Sequence, residues 1–189
     1  MKNIVILASG SGSNAENIIR VINNHGGAKV SYVAVNRPDA YALRRAEALN
    51  VKTLVFDRAA FYHTDEVLNF LIGCQPDLIV LAGFLWLVPS KIVKAFPKRI
   101  INIHPALLPK YGGKGMFGAH VHQAVIDQGD QESGITIHYV NEQYDDGDII
   151  FQAVCPVLPG DDAESLANKV HALEYKYFPN VILNLLGLE

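Results

Sequence analysis

The chain has 189 residues, 50% of them hydrophobic and 19% charged, with a formal net charge of -3. That length and composition suit one globular domain with a sizeable core, expected to span 1–189. The acidic balance gives no basic footprint for nucleic acid, and no run approaches the ~18 uninterrupted apolar residues of a membrane span.

From the N-terminus, Met1-Lys2-Asn3 leads into Ile4-Val5-Ile6-Leu7-Ala8. This continuous apolar run is what a strand buried on both faces shows, and no cleavable leader is expected before it. Ser9-Gly10-Ser11-Gly12-Ser13-Asn14 follows, and Ile18, Ile19 and Ile22 give helical spacing over 15–23. Strand, glycine-rich turn and helix start together make an anion site of free N–H groups and helix dipole. The turn is neither GxGxxG nor a Walker A loop, and the second strand, 30–35, ends in Asn36-Arg37-Pro38 with no acid for a ribose diol. A single phosphate on Gly12, Ser13 and Asn14 is expected over a dinucleotide; a plain tight turn is the structural alternative.

A helix is predicted over 39–49, a strand over 53–56, a helix over 61–72 and a buried strand over 77–82. This alternation argues for parallel strands with right-handed helical crossovers and ligands beyond the strands' carboxyl ends. Gly83-Phe84-Leu85-Trp86-Leu87-Val88 is too apolar for a solvated loop: it either packs under a helix or walls a flat aromatic ligand. Residues 105–118, rich in Pro, Gly and Lys, read as a flap, and 119–128 as a helix. Alternating runs over 133–140 and 149–157, around Tyr144-Asp145-Asp146-Gly147-Asp148, predict antiparallel strands extending the sheet. A closing helix is expected over 162–186, broken or kinked at Pro179. Cys74 and Cys155 sit singly among apolar neighbours, as thiols used for packing in a reducing cytoplasm do. With no CxxC or HxxxH spacing, no metal site is expected.

The chemistry centres on Ile100-Ile101-Asn102-Ile103-His104-Pro105. Asn102 and His104, two apart on a strand that Pro105 stops, share one face at its carboxyl end. An amide donor and a titratable imidazole aimed at one point suit acyl chemistry, although satisfied polar caps are the commoner use of such residues. The acidic turn at Asp145 follows His138, and a carboxylate beside an imidazole is expected to raise the ring's pKa and fix its orientation.

Together, Ser9-Gly10-Ser11-Gly12-Ser13-Asn14, Leu81-Ala82-Gly83-Phe84, Asn102-Ile103-His104-Pro105-Ala106-Leu107-Leu108-Pro109 and Asp145-Asp146-Gly147 resemble the folate-dependent formyltransferase family. The resemblance implies a Rossmann-like, mostly parallel sheet. It also implies that the formyl carbon of 10-formyltetrahydrofolate is attacked directly by the amine of glycinamide ribonucleotide, with no metal. Asn102 then matches the oxyanion-stabilising amide, His104 the proton-transfer residue and Asp145 the carboxylate that tunes it, Asp146 being the neighbouring alternative. Gly12, Ser13 and Asn14 match the phosphate loop, and Glu174 the residue meeting the acceptor amine. Arg58, Leu85, Trp86, Leu87, Val88, Asn102, Asn141, Glu142, Gln143, Tyr144 and Asp145 match the folate pocket, with His138 supporting its loop. On this reading the phosphate-binding half is about 1–100 and the folate and catalytic half about 101–189.

Trp86 departs from the smaller or basic residue usual in that wall, and the flap is longer than the commonest form. The partners implied are small molecules, with no nucleic acid or membrane, for a monomer or homodimer. An RNA-formylating relative would need a basic C-terminal domain and a hydrolase an N-terminal regulatory one; the chain's ends lead us to expect neither. An amino-sugar N-formyltransferase stays as the alternative within the family, and the Gly12 phosphate loop is the argument against it. A non-catalytic nucleotide-binding module would have no use for Asn102, His104 and Asp145 together.

Overall fold

Ile4, Val5, Ile6 and Ala8 are fully buried because their strand lies inside a seven-stranded sheet, with a neighbour on each side. The computed structural model describes residues 1–188; Glu189, the last position of the expected domain, lies outside them. The strands are β1 (Lys2–Ala8), β2 (Ala28–Val35), β3 (Lys52–Val55), β4 (Leu78–Leu81), β5 (Ile100–His104), β6 (Glu132–Tyr139) and β7 (Ile149–Pro156). Their order is β3-β2-β1-β4-β5-β6-β7, with the β5–β6 and β6–β7 pairs antiparallel and the remaining pairs parallel. The helices are α1 (Ser13–His25), α2 (Ala42–Ala48), α3 (Glu66–Cys74), α4 (Ser90–Ala95), α5 (Ala119–Gln128) and α6 (Ala163–Leu185).

Alternate residues of β1 feed two cores. Ile4, Ile6 and Ala8 pack with Ile18, Ile19 and Ile22 of α1 and Phe178 and Ile182 of α6. Val5 and Leu7 pack on the other face with Phe61, Val67, Leu71 and Ile92. The chain winds outward from β1 through β2 and β3, then resumes at β4 on β1's other side. A crevice opens where the winding reverses, beyond the ends of β1 and β4.

Several elements differ from expectation. The helix predicted over 39–49 begins only at Ala42, because Arg37 pairs with Asp39 (2.8 Å) and the Ala40 N–H donates to the Arg37 carbonyl (3.1 Å), closing a turn first. The helix predicted over 61–72 is a wide π-helical turn, Ala59–His63, then α3, parted at an extended Thr64. Phe61 is out of helical phase with Val67 and Leu71, so one continuous helix could not bury all three on one side. Helix α4 has no counterpart in the sequence reading; its six residues are too few for a periodic stripe.

Pro179 neither ends nor interrupts α6. Proline lacks the N–H that would bond the Tyr175 carbonyl one turn back. Asn17 of α1 supplies the missing donor, its Nδ2 lying 2.9 Å from that carbonyl. The N-terminus of α6 is closed by Asp162 and Ser165, each side chain bonded to the other's backbone N–H. No helix among the described residues is long and apolar enough to cross a membrane.

Candidate active site

A cleft of about 620 Å³ occupies the crevice, lined by the Gly10–Asn14 loop, the Ala82–Leu85 turn, the end of β5, the flap and one side of α6. The loop after β1 is held from both neighbours. The Ser9 N–H donates to the Gly83 carbonyl (3.1 Å), and the Leu85 N–H donates to Ser9 Oγ (3.0 Å). Gly12 has φ 72° and lies so close to α2 that a Cβ would come within 2.5 Å of Ala42 Cα. A larger residue cannot make this turn. Helix α1 starts there without a side-chain cap, leaving its first N–H groups facing the cleft.

Asn102 and His104 both line the cleft, as the two-residue spacing predicts. The antiparallel pairing of β5 with β6 sets Asn102 opposite His138. Cross-strand partners share a face, so the imidazole of His138 reaches the Asn102 amide: Asn102 Nδ2 to His138 Nε2 is 3.1 Å. His138 Nδ1 lies 2.8 Å from the Tyr139 carbonyl, which only accepts. In the neutral ring the proton therefore sits on Nδ1, and Nε2 accepts from Asn102.

Asp145 closes the group. Its backbone is left-handed (φ 52°), and Gly147 beside it packs so tightly on the Tyr139 carbonyl that a Cβ would fall 1.7 Å from the oxygen. That approach pulls the acidic turn over the end of β5. Asp145 Oδ2 accepts from the Gly113 N–H (3.1 Å) and lies 3.5 Å from His104 Nδ1. Its Oδ1 is 3.4 Å from Asn102 Nδ2 and 3.7 Å from His138 Nε2. Asp146 instead accepts from the Asn141 amide at the surface (3.0 Å), so the carboxylate at the strand end is Asp145.

His104 is 3% exposed, and its Nε2 lies 2.7 Å from the Tyr111 carbonyl. The carbonyl fixes the proton on Nε2 and leaves Nδ1 as the free base, facing Asp145. Burial pushes the imidazole's pKa below its ordinary value, and the pull of Asp145 only partly offsets this. The expected upward shift is therefore reversed: desolvation of the cation outweighs one carboxylate. Burial alone would raise the Asp145 carboxyl; His138, His104 and the Gly113 N–H together hold it below the usual range.

Glu174 of α6, 5% exposed, joins the cleft wall. Burial raises its pKa, against a hydrogen bond from Asn14 Nδ2 (2.9 Å) and the nearby His171. The Asn14 side chain is thus engaged with Glu174, and its backbone N–H is what it offers an anion.

The expected folate-wall residues divide. Trp86, Leu87, Val88, Gln143, Tyr144 and Asp145 line a smaller recess with Phe84, Asn102 and His138, while Leu85 faces the main cleft. The packing reading of this apolar loop is what the structure shows: Phe84 and Val88 are buried in the core, and Trp86 packs at ring distances of 5.8 Å from Phe61 and 5.9 Å from Tyr62. Arg58 lines neither hollow; its guanidinium stacks over the Tyr62 and Trp86 rings. Asn141 and Glu142 also face elsewhere, Glu142 toward Ser90 and Lys94. His122, His171 and Lys114 line the cleft without having been expected. They come from two helices, α5 and α6, and a flap whose side chains carry no local pattern pointing at a site. His122 is 3% exposed, and burial, with His171 and His104 nearby, pushes its pKa down to about 4.

Comparison with known proteins bears on the whole chain. The formyl transferase family model matches residues 2–182. The phosphoribosylglycinamide formyltransferase of Haemophilus influenzae is 39% identical over 189 residues, which cover 96% of this chain and 86% of that protein. The chloroplastic phosphoribosylglycinamide formyltransferase of Arabidopsis thaliana is 38% identical over 96% of this chain, which spans 64% of that relative's length. The solved structure of glycinamide ribonucleotide transformylase 1 from Symbiobacterium toebii matches with a TM-score of 0.89 at 36% identity, over 99% of this chain and 89% of that one.

Proposed function

Because the chain belongs to the formyl transferase family, we propose that it moves the formyl group of 10-formyltetrahydrofolate to the amine of N1-(5-phospho-D-ribosyl)glycinamide, in purine biosynthesis. One observation carries the reading: an amide and an imidazole from one strand and a carboxylate from a distant turn meet beside an N–H cradle in one cleft. Asn102 Nδ2 donates to the formyl oxygen as it gains negative charge, an interaction typically worth ~3 kcal/mol. His104 accepts the proton of the attacking amine at Nδ1 and returns it to the departing nitrogen. Asp145 steadies the charged ring between those two transfers without itself being protonated. His138, by accepting from Asn102, orients the amide.

The N–H groups of Gly12, Ser13 and Asn14 hold the ribonucleotide phosphate, and Glu174 accepts from the glycinamide amine. The recess walled by Phe84, Trp86, Leu87 and Val88, polar at its Asn102 and Asp145 edge, suits a flat ring with apolar faces and a polar rim. Residues of about 1–100 serve the phosphate and about 101–189 the folate and the chemistry, with Leu85 to Val88 and Glu174 crossing that division. This chemistry needs no metal, and the two free thiols, Cys74 and Cys155, suit a reducing cytoplasm. The test is an absorbance assay for loss of 10-formyltetrahydrofolate with and without the ribonucleotide. Acceptor-dependent loss is expected; consumption that ignores the acceptor marks a hydrolase and overturns the assignment.

A further inference from the structure

A phosphate dianion entering this cleft meets a shortage of positive charge. The cradle offers N–H groups and the partial charge of one helix end. Glu16, in the first turn of α1, adds a full negative charge there, held ionised by Arg20 and Arg45. Three arginines of α1, α2 and the turn after β2 are committed: Arg45 to Glu16 and the Ser11 carbonyl, Arg20 to Glu16, Arg37 to Asp39, while His171 of α6 lines the cleft as an imidazole. Two carboxyl groups, Asp145 and Glu174, line the cleft, and burial holds His104 and His122 below their ordinary values, in the uncharged form at neutral pH. Among the described residues, Lys114 is the one lysine or arginine lining the cleft, and it makes no ion pair. It stands exposed at the flap tip between Gly113 (φ 97°) and Gly115 (φ 88°), with open space around both glycines.

We infer that Lys114 is the counter-ion of the acceptor's phosphate and sets the preference for a phosphorylated acceptor. The inference rests on the formyl-transfer reading for the identity of the substrate, but not for the phosphate contact itself. A lysine ammonium serves as a point charge here, so arginine can replace it in charge, and alanine cannot.

Two measurements on the full chain test it. In the first, inorganic phosphate is titrated calorimetrically into the wild type, Lys114→Ala and Lys114→Arg. Lys114→Ala should bind about tenfold more weakly, Lys114→Arg within about twofold of wild type, and the gap should narrow as salt is added. Equal affinities for wild type and Lys114→Ala overturn the inference. This arm needs no turnover, so a Lys114-dependent phosphate affinity in a chain that formylates nothing would support the contact while removing the reaction. In the second, Lys114→Ala should raise KM for the ribonucleotide about tenfold with kcat kept within about twofold, and leave kcat/KM for glycinamide riboside, which has no phosphate, unchanged. An equal loss on the riboside, or a loss in kcat alone, overturns it.

Discussion

In the proposed reaction Asn102, His104 and Asp145 divide one task by chemical type, so their substitutions should fail in different ways. Asn102→Ala removes a donor needed only as charge develops, and kcat should fall about 100-fold with KM for the ribonucleotide nearly unchanged. His104→Ala should lower kcat on the order of 1000-fold and keep phosphate binding; steady-state kinetics with both substrates varied separates the two cases. Because burial lowers the His104 pKa from 6.5, the base form persists below that pH, and the acid limb of kcat/KM should lie below 6.5. Asp145 pulls the imidazole upward, so in Asp145→Asn the limb of the residual activity should move lower still. Movement toward higher pH would mean that the carboxylate is not what faces the ring.

His122 carries a second pH prediction, on stability. Its folded value of about 4 lies below the ordinary 6.5, so the unfolded chain binds a proton that the folded chain refuses between those values. Stability is intact above about 6.5 and is lost as pH falls toward 4, by on the order of 2 kcal/mol after allowing for solvent in the cleft. Thermal melts across that range should show the loss in wild type and a flatter profile in His122→Gln.

At the scale of elements, the pairing of α1 with α6 depends on a repair. Pro179 removes a helix hydrogen bond, and Asn17 supplies the donor to Tyr175 from a neighbouring helix. Asn17→Ala should destabilise by about 1 kcal/mol in denaturant unfolding. In a Pro179→Ala background the helix recovers its own N–H, and the same Asn17→Ala change should cost clearly less; equal costs would rule out the coupling. The same helix pair sets Glu174 beside Asn14, so the repair holds part of the cleft wall in place.

For the molecule as a whole, one hydroxyl joins the sheet to the flap. Thr136 of β6, fully buried, donates to the Ala106 carbonyl (2.7 Å) and accepts from the Leu108 N–H (3.0 Å) and Gln152 Nε2 (2.9 Å). It stands opposite His104 in the β5–β6 pairing, so the segment that carries the Tyr111 carbonyl to His104 is anchored through it. Thr136→Val keeps the shape and strands two buried partners, the Ala106 carbonyl and the Leu108 N–H. It should cost about 2–4 kcal/mol in unfolding and, if the protein is assayed well below its Tm, lower kcat as well. Unchanged kcat alongside the lost stability would show that the flap finds its place without this anchor.

The strand at Ile4–Ala8, the shared face of Asn102 and His104, the helix over 119–128 and the start of the closing helix at Asp162 were all legible from neighbours a few residues apart. Such features follow from side-chain alternation, helical periodicity and local hydrogen bonds, which a linear chain displays directly. What stayed hidden depends on partners distant in sequence or on burial. No local rule brings Asn17 to the carbonyl that Pro179 frees, lifts Phe61 out of the expected helix or turns Arg58 onto Trp86. The shift of His104 is the sharpest case: the sequence shows a carboxylate that would raise its pKa, but only the packed structure supplies the desolvation that lowers it. The sequence by itself determined which groups could do the chemistry. The tertiary structure decided their charge and their company, because the dielectric around a side chain is a property of everything packed against it.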